Sequence, residues 1–204
     1  MSRNAILLAS VCGALAFPAS ANDAAGIDVL MELCTPIAAT GESLRAGLND
    51  AGWTMLEKAD AGQAIASLVA SQMWFMESTA SIDQQLALTK EYVDAFYASY
   101  GSDFIGPIFT MGEQVAMVLA SDGNISCIWA GPEDPALMAR IDAVGGFPDA
   151  EGTVTAARTQ LVEVGGLDHR RVETYAFIEA SDRGGPLPYA ARLDRSPVQQ
   201  VDTP

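Results

Sequence analysis

EQVAMVLASDGNISCIWAG, residues Glu113–Gly131, is the stretch whose reading decides the fold of this chain. Asp122-Gly123 sits at its centre, and Asp-Gly between two apolar runs is a strong short-range signal for a β-hairpin. A two-residue loop sets the register, with Ala120 opposite Ile125, Val118 opposite Cys127 and Ala116 opposite Trp129. Residues directly across an antiparallel pair share one side of the sheet. The larger side chains of one strand therefore meet the smaller ones of the other. Cys127, between Ile125 and Trp129, lies on a face that asks to be covered.

Upstream the pattern is helical. Ile27, Leu30, Met31 and Cys34 recur at helical spacing, and Pro36 ends or kinks that helix. Thr40 caps a second helix carrying Leu44, Leu48 and Ala51, with Gly52 as its stop. Trp53 to Leu56 reads as a short strand. Asp60 caps a third helix whose apolar face holds Ile65, Leu68, Val69, Gln72, Met73 and Met76. The run MWFM at 73–76 is apolar all round, which fits deep burial or a contact surface. Ser81 or Asp83 starts a fourth helix carrying Leu86, Val93, Phe96, Tyr97 and Tyr100, and Gly101 stops it.

Downstream, Asp134 is an N-cap and Pro135 takes the first helical position. Leu137, Met138 and Ile141 make the stripe, and Gly145 terminates. Strand-like runs follow at Thr153–Arg158, Gln160–Val164, Arg171–Glu179 and Tyr189–Leu193. Gly165-Gly166 and SDRGGPLP (181–188) separate the last three. Helices first and antiparallel strands later predict an α+β fold, with N-terminal helices packed on a C-terminal antiparallel sheet.

The first residues carry a short basic start at Arg3, an apolar run from Ala5 to Phe17, Pro18, and the A-x-A triplet Ala19-Ser20-Ala21. That order is a secretory signal peptide, removed after Ala21, with a run too short to span a bilayer. The expected organisation is a signal peptide over 1–21, a single α+β domain over 22–195 and a flexible tail over 196–204. Localisation is then periplasmic or secreted. Cys12 leaves with the signal. Cys34 and Cys127 remain, an even count in an oxidising compartment, which reads as one disulfide stapling the first helix to the hairpin. Two separate buried thiols are the alternative.

Charge bounds the partners. The whole chain carries −15, and removal of Arg3 makes the mature chain more negative still. Residues 22–134 hold 16 Asp/Glu against three Lys/Arg, whereas 135–204 hold 10 against seven arginines. A basic footprint for nucleic acid is missing. The acidity fits either simple solubility or attraction of a cationic exported protein. No later segment is long and apolar enough to cross a bilayer, and oligomeric state is not legible.

Cys34, Gly52-Trp53, and the hairpin with Gly123 and Cys127-Ile128-Trp129 before a short helix form a pattern. It resembles that of small exported proteobacterial proteins of uncharacterised function. The resemblance covers the middle of the chain and implies export and a disulfide. It brings no catalytic residue and no ligand.

Chemistry-bearing motifs are few. His169 is the only histidine, placed in GGLDHRR and expected to be an exposed loop residue; Asp168 beside it points the other way along a strand. Neither a metal-ligand spacing nor a glycine-rich phosphate loop occurs, so no catalytic, cofactor or metal residue is expected. Glu173 and Glu179 lie about 20 Å apart along a strand, too far for paired-carboxylate hydrolysis, and read as a solvated face. Arg171, Glu173, Tyr175, Phe177 and Glu179 share that face. They form the candidate binding surface, because arginine and aromatic residues are what interfaces use. The expected function is therefore an exported, non-enzymatic binding or accessory protein, such as an inhibitor or immunity-type protein acting on another protein. The alternatives are a small apolar-ligand binder, with Trp74, Phe75, Tyr97 and Trp129 lining a pocket, and a hydrolase with dispersed carboxylates.

Overall fold

A computed structural model describes residues 26–76, 82–101, 105–145, 147–148, 154–164, 167–177 and 189–198. Residues 1–21, where a signal peptide is expected, and the last residues, 199–204, lie outside the described residues. Among the described residues, five α-helices and eight strands run in the order α1 (Gly26–Cys34), α2 (Gly41–Asp50), β1 (Thr54–Met55), α3 (Gly62–Met76), α4 (Ile82–Ser99), β2 (Ile108–Met111), β3 (Gln114–Ser121), β4 (Asn124–Gly131), α5 (Pro135–Val144), β5 (Phe147–Pro148), β6 (Val154–Val164), β7 (Leu167–Phe177) and β8 (Tyr189–Pro197). The fold is α+β, as the sequence predicts.

The hairpin takes the expected register. Ala120 pairs with Ile125, Val118 with Cys127 and Ala116 with Trp129. Asp122 and Gly123 both have positive φ, 49° and 79°, the backbone that a two-residue primed turn demands. All pairings are antiparallel, and the sheet order is β1-β2-β3-β4-β8-β7-β6-β5. Two meanders thus approach from opposite edges and meet where β8 lies beside β4.

Helices cover both faces. On the first face α1, α2 and α5 enclose Ile27, Leu30, Leu48, Trp129, Leu137 and Leu193, among others. On the second face α3 and residues of α4 pack over Ile108, Val115, Met117, Ile128 and Ala130. Alternation along β3 and β4 explains the split: 116, 118, 125, 127 and 129 serve one face, and 115, 117, 128 and 130 the other. The helix ends follow local chemistry. Thr40 forms a capping box with Ser43, Asp134 caps Ala136 with Pro135 at the first turn, and Gly145 closes α5 in the left-handed region. Cys34 and Cys127, both fully buried, are joined by a disulfide with Cα atoms 6.4 Å apart.

Several local expectations change. The runs 153–158 and 160–164 form one continuous strand, β6, because β7 pairs with all of it from Val154 to Val164. β2 was not legible, since its four residues carry no alternation of their own; it forms by pairing with β3. Asp60 sits in a short 3₁₀ turn, Lys58–Asp60, and α3 begins at Gly62. On α4, Leu86 and Tyr97 are exposed while Gln85 is buried. β8 extends to Pro197, so Ser196 and Pro197 are strand residues.

Candidate functional site: a charged row on the covered sheet face

Alternation along β7 puts His169, Arg171, Glu173 and Tyr175 on one side of the sheet. The ladders bring Arg158 of β6 opposite Glu173, and Leu193 and Arg195 of β8 opposite Glu173 and Arg171. Tyr175 and Leu193 belong to the first-face core, so the whole row lies on that face. α5 packs over β6 and β7, and α1 touches α5. These helices add Arg140 and Asp28.

Glu173 is the centre. It is 1 % exposed, and its carboxylate accepts from three donors. Arg158 Nη2 donates to Oε2 at 2.6 Å, Tyr175 Oη donates to the same oxygen at 2.8 Å, and Arg171 Nη2 donates to Oε1. Burial pushes this carboxyl upward. The bond from Tyr175 and the charges of Arg171 and Arg158 together outweigh burial and hold it below the usual carboxylate range. The Tyr175 phenol moves the other way. Burial, then the bond to the Glu173 carboxylate, pushes it up to about 12. Neither group changes protonation near neutral pH. The pair supplies a fixed charge and a fixed donor.

Beside it, Arg140 donates through Nε and Nη2 to Asp28 Oδ1 at 3.1 and 2.6 Å, linking α5 to α1. Burial works against the guanidinium charge, and the bonds to Asp28 and Tyr175 overcome it, so its proton is held more tightly than usual. Asp28, Arg140, Arg158, Glu173 and Tyr175, with alanines of α5, line a recess of about 320 Å³. A larger groove of about 1010 Å³ runs past the hairpin end of the sheet, where Arg45, Lys58, Ser126, Asp194 and Arg195 line it. A small apolar recess between α3, α4 and the second face holds about 60 Å³.

Of the expected binding surface, Arg171, Glu173 and Tyr175 do come together. They sit beneath helices and are mostly enclosed, because this face of β7 is the one α5 covers. Glu173 is therefore a buried ion-pair partner and not a solvated residue. Phe177 ends β7 opposite Val154 and Tyr189, and its side chain lies outside the described residues, as does Glu179. His169 is not in an exposed loop. It is a β7 residue, 8 % exposed. Trp129 belongs to the first-face core and Tyr97 is an exposed residue of α4, which packs on the second face, so these two do not line one pocket.

Sequence reasoning missed Asp28, Arg140, Arg158 and Arg195. One signal was present: seven of the ten lysines and arginines beyond Arg3 fall in residues 135–204, and all seven are arginines. Among the described residues no group of three His, Cys, Asp or Glu is placed to hold a metal ion, and no helix is long and apolar enough to cross a membrane. No protein-family model, curated protein or solved structure matches the chain.

Proposed function

We propose that the chain is an exported, non-enzymatic binding protein that acts on another protein, as an inhibitor, an immunity-type protector or an envelope accessory factor. The recess at Glu173 carries this reading. Its charges are mutually paired and its two central groups are locked in one protonation state each. Such a site recognises shape and charge without turning anything over. Its volume of about 320 Å³ is near the lower limit for small-molecule pockets and suits one protruding side chain of a partner.

The rival readings have less support. Paired-carboxylate hydrolysis needs an acid whose pKa is raised, and Glu173 is held low. An apolar ligand needs an apolar cavity of some hundreds of Å³, and the apolar recess described here holds about 60 Å³. Export is supported by the buried Cys34–Cys127 disulfide, a feature of oxidising compartments. Cleavage after Ala21 predicts an intact mass starting at Asn22.

The test uses the mature, oxidised chain. Partners captured from a periplasmic extract are identified, purified and measured by surface plasmon resonance against wild type and Ala139→Trp. Ala139 is an exposed α5 residue lining the recess, so tryptophan there occupies the recess while every charged residue of the ion pairs is kept. A loss of affinity of about tenfold or more is expected. Equal binding by both removes the recess as the site. Turnover of any substrate that Glu173→Gln abolishes would overturn the non-enzymatic reading.

A further inference from the structure

At the other end of the same row the charges do not balance. Arg171 and Arg195 are direct partners across β7 and β8. Directly opposed side chains have Cβ atoms about 4.5–5.5 Å apart, and like charges so placed repel. His169 lies two residues before Arg171 on the same face, about 6.6 Å along the strand. Burial is deep: Arg195 is 3 % exposed and His169 8 %. Among the described residues, three nitrogens of this trio have no hydrogen-bond partner, namely His169 Nδ1, Arg171 Nε and Arg195 Nε.

The partners these groups do have leave the charge uncompensated. Arg195 Nη1 donates to the carbonyls of Pro36 and, at 3.5 Å, Thr35, both neutral acceptors. Arg171 and Arg158 share the single carboxylate of Glu173. Among the described residues, three guanidinium groups therefore stand against one carboxylate, in a chain whose net charge is −15. Burial, then the nearby charge of Arg171, weakens the hold of Arg195 on its proton. Buried donors without acceptors are rare in folded proteins, and a cluster of them calls for a missing partner. Access exists, since Arg195 lines the groove of about 1010 Å³ together with Gly41, Arg45, Ile125 and Ser196. Gly41 and Arg45 belong to the first turns of α2, whose N-terminal end adds partial positive charge.

We propose that Arg171, Arg195 and His169 form a binding site for a small oxyanion, either a phosphate-type or sulfate-type group or a carboxylate, reached along the groove beside α2. The acceptor oxygens of such a group pair with the two guanidinium edges and the imidazole, and its charge offsets the buried excess. The site is separate from the recess at Glu173, and stands or falls independently of it.

His169 is the only histidine, so a tag-free chain gives one imidazole to follow by ¹H–¹⁵N spectroscopy. The oxidised, mature protein is titrated in separate arms with inorganic phosphate, sulfate and acetate, near neutral pH and at constant ionic strength set by chloride. A saturable shift of the imidazole nitrogens is expected in at least one arm. Response to phosphate or sulfate identifies a tetrahedral oxyanion, and response to acetate alone a carboxylate. Arg195→Gln weakens that binding about tenfold or more, and Arg195→Lys, which keeps the charge and loses the fork, falls between. Non-saturating drift in all three arms overturns the proposal. If Arg195→Gln loses the wild-type near-UV circular dichroism, Arg171→Lys decides instead. It keeps a cation beside Glu173 and removes the unpartnered Nε, and an unchanged midpoint in it also overturns the proposal.

Discussion

Glu173→Gln isolates the charge that holds the covered face together. Glutamine keeps an oxygen for Tyr175 and nearly the same volume, so the change removes charge and little packing. Breaking a fully buried ion pair by removing one partner costs about 3–5 kcal/mol. That figure needs a discount here. Arg158 is about half exposed, with a side-chain accessibility of 49 %, and relaxes into water once released. Arg171 has a side-chain accessibility of 18 % and stays beside Arg195, with no other carboxylate paired to it among the described residues. About 2–3 kcal/mol of destabilisation is therefore expected at neutral pH. Urea unfolding followed by tryptophan fluorescence measures it: the midpoint falls by roughly 1–2 M while the slope m stays unchanged. The pH dependence supplies a sign. The folded-state pKa of Glu173 lies below its unfolded value, so its stabilisation is fully present above the unfolded pKa of about 4.3. It is lost as pH falls through the folded value. The gap between wild type and Glu173→Gln is therefore widest at neutral pH and closes in acid. A neutral-pH difference below about 0.5 kcal/mol, the range of ordinary surface substitutions, refutes the reasoning. So does a gap that widens as pH drops.

Three further outcomes are expected. The Cys34–Cys127 bridge closes a loop of 93 sequence steps, for which the chain-entropy model gives roughly 4–5 kcal/mol; Cys34→Ala/Cys127→Ala should lose stability of that order, and free thiols at both positions in oxidised protein would contradict the bridge. Ultraviolet titration should show one of the five tyrosines ionising at about 12, absent in Tyr175→Phe. Because that pKa is raised on folding, its contribution is complete below about 10 and disappears as pH rises through about 12. Gly123→Val places a β-branched side chain at φ 79° and should cost about 1–2 kcal/mol by denaturant melt, whereas Gly123→Asn, suited to that region, should cost less.

What was legible in the sequence was what local chemistry dictates. Asp122-Gly123 fixed a register that the ladders reproduce pair by pair. Thr40, Asp134, Pro135 and Gly145 marked helix ends because caps act within a few residues of themselves. The charged row was only half visible. Arg171, Glu173 and Tyr175 could be placed on one strand face from their spacing alone. That the face was covered depended on α5 and α1, which approach it from elsewhere in the chain. Period-two alternation says that two faces differ. It does not say which one a helix will cover when both carry apolar residues. Arg158 and Arg195 were invisible for a related reason. Their roles arise from strand pairing across 15 and 24 sequence positions, set by the β6–β7 and β7–β8 ladders. His169 looked exposed because its flanks, Gly165-Gly166 and Arg170-Arg171, read as a loop; only the two residues Gly165-Gly166 separate β6 from β7.

The disulfide and the charged row are mechanically one assembly. Cys127 is opposite Leu193, Leu193 is opposite Glu173, and Glu173 is opposite Arg158. The bridge therefore sits in the same transverse line as the buried carboxylate, two strands away and about 10 Å from it by the spacing of neighbouring strands. At its other end it holds Cys34, the last residue of α1. The next two residues, Thr35 and Pro36, present the carbonyls that accept from Arg195. A helix end normally leaves its last carbonyls short of donors. Here an arginine from the sheet comes close to that end, and the disulfide fixes the distance between the two. Earlier in the same helix, Asp28 reaches Arg140 on α5. α1 is thus pinned to the sheet at its end by a covalent bond and to α5 at its start by an ion pair, with Glu173 and Arg171 on the face below. Cutting the bridge frees the end beside Arg195 while the Asp28–Arg140 pair still holds the start. Reduction should then disturb the environment of His169 and Arg195 before it disturbs the recess at Glu173.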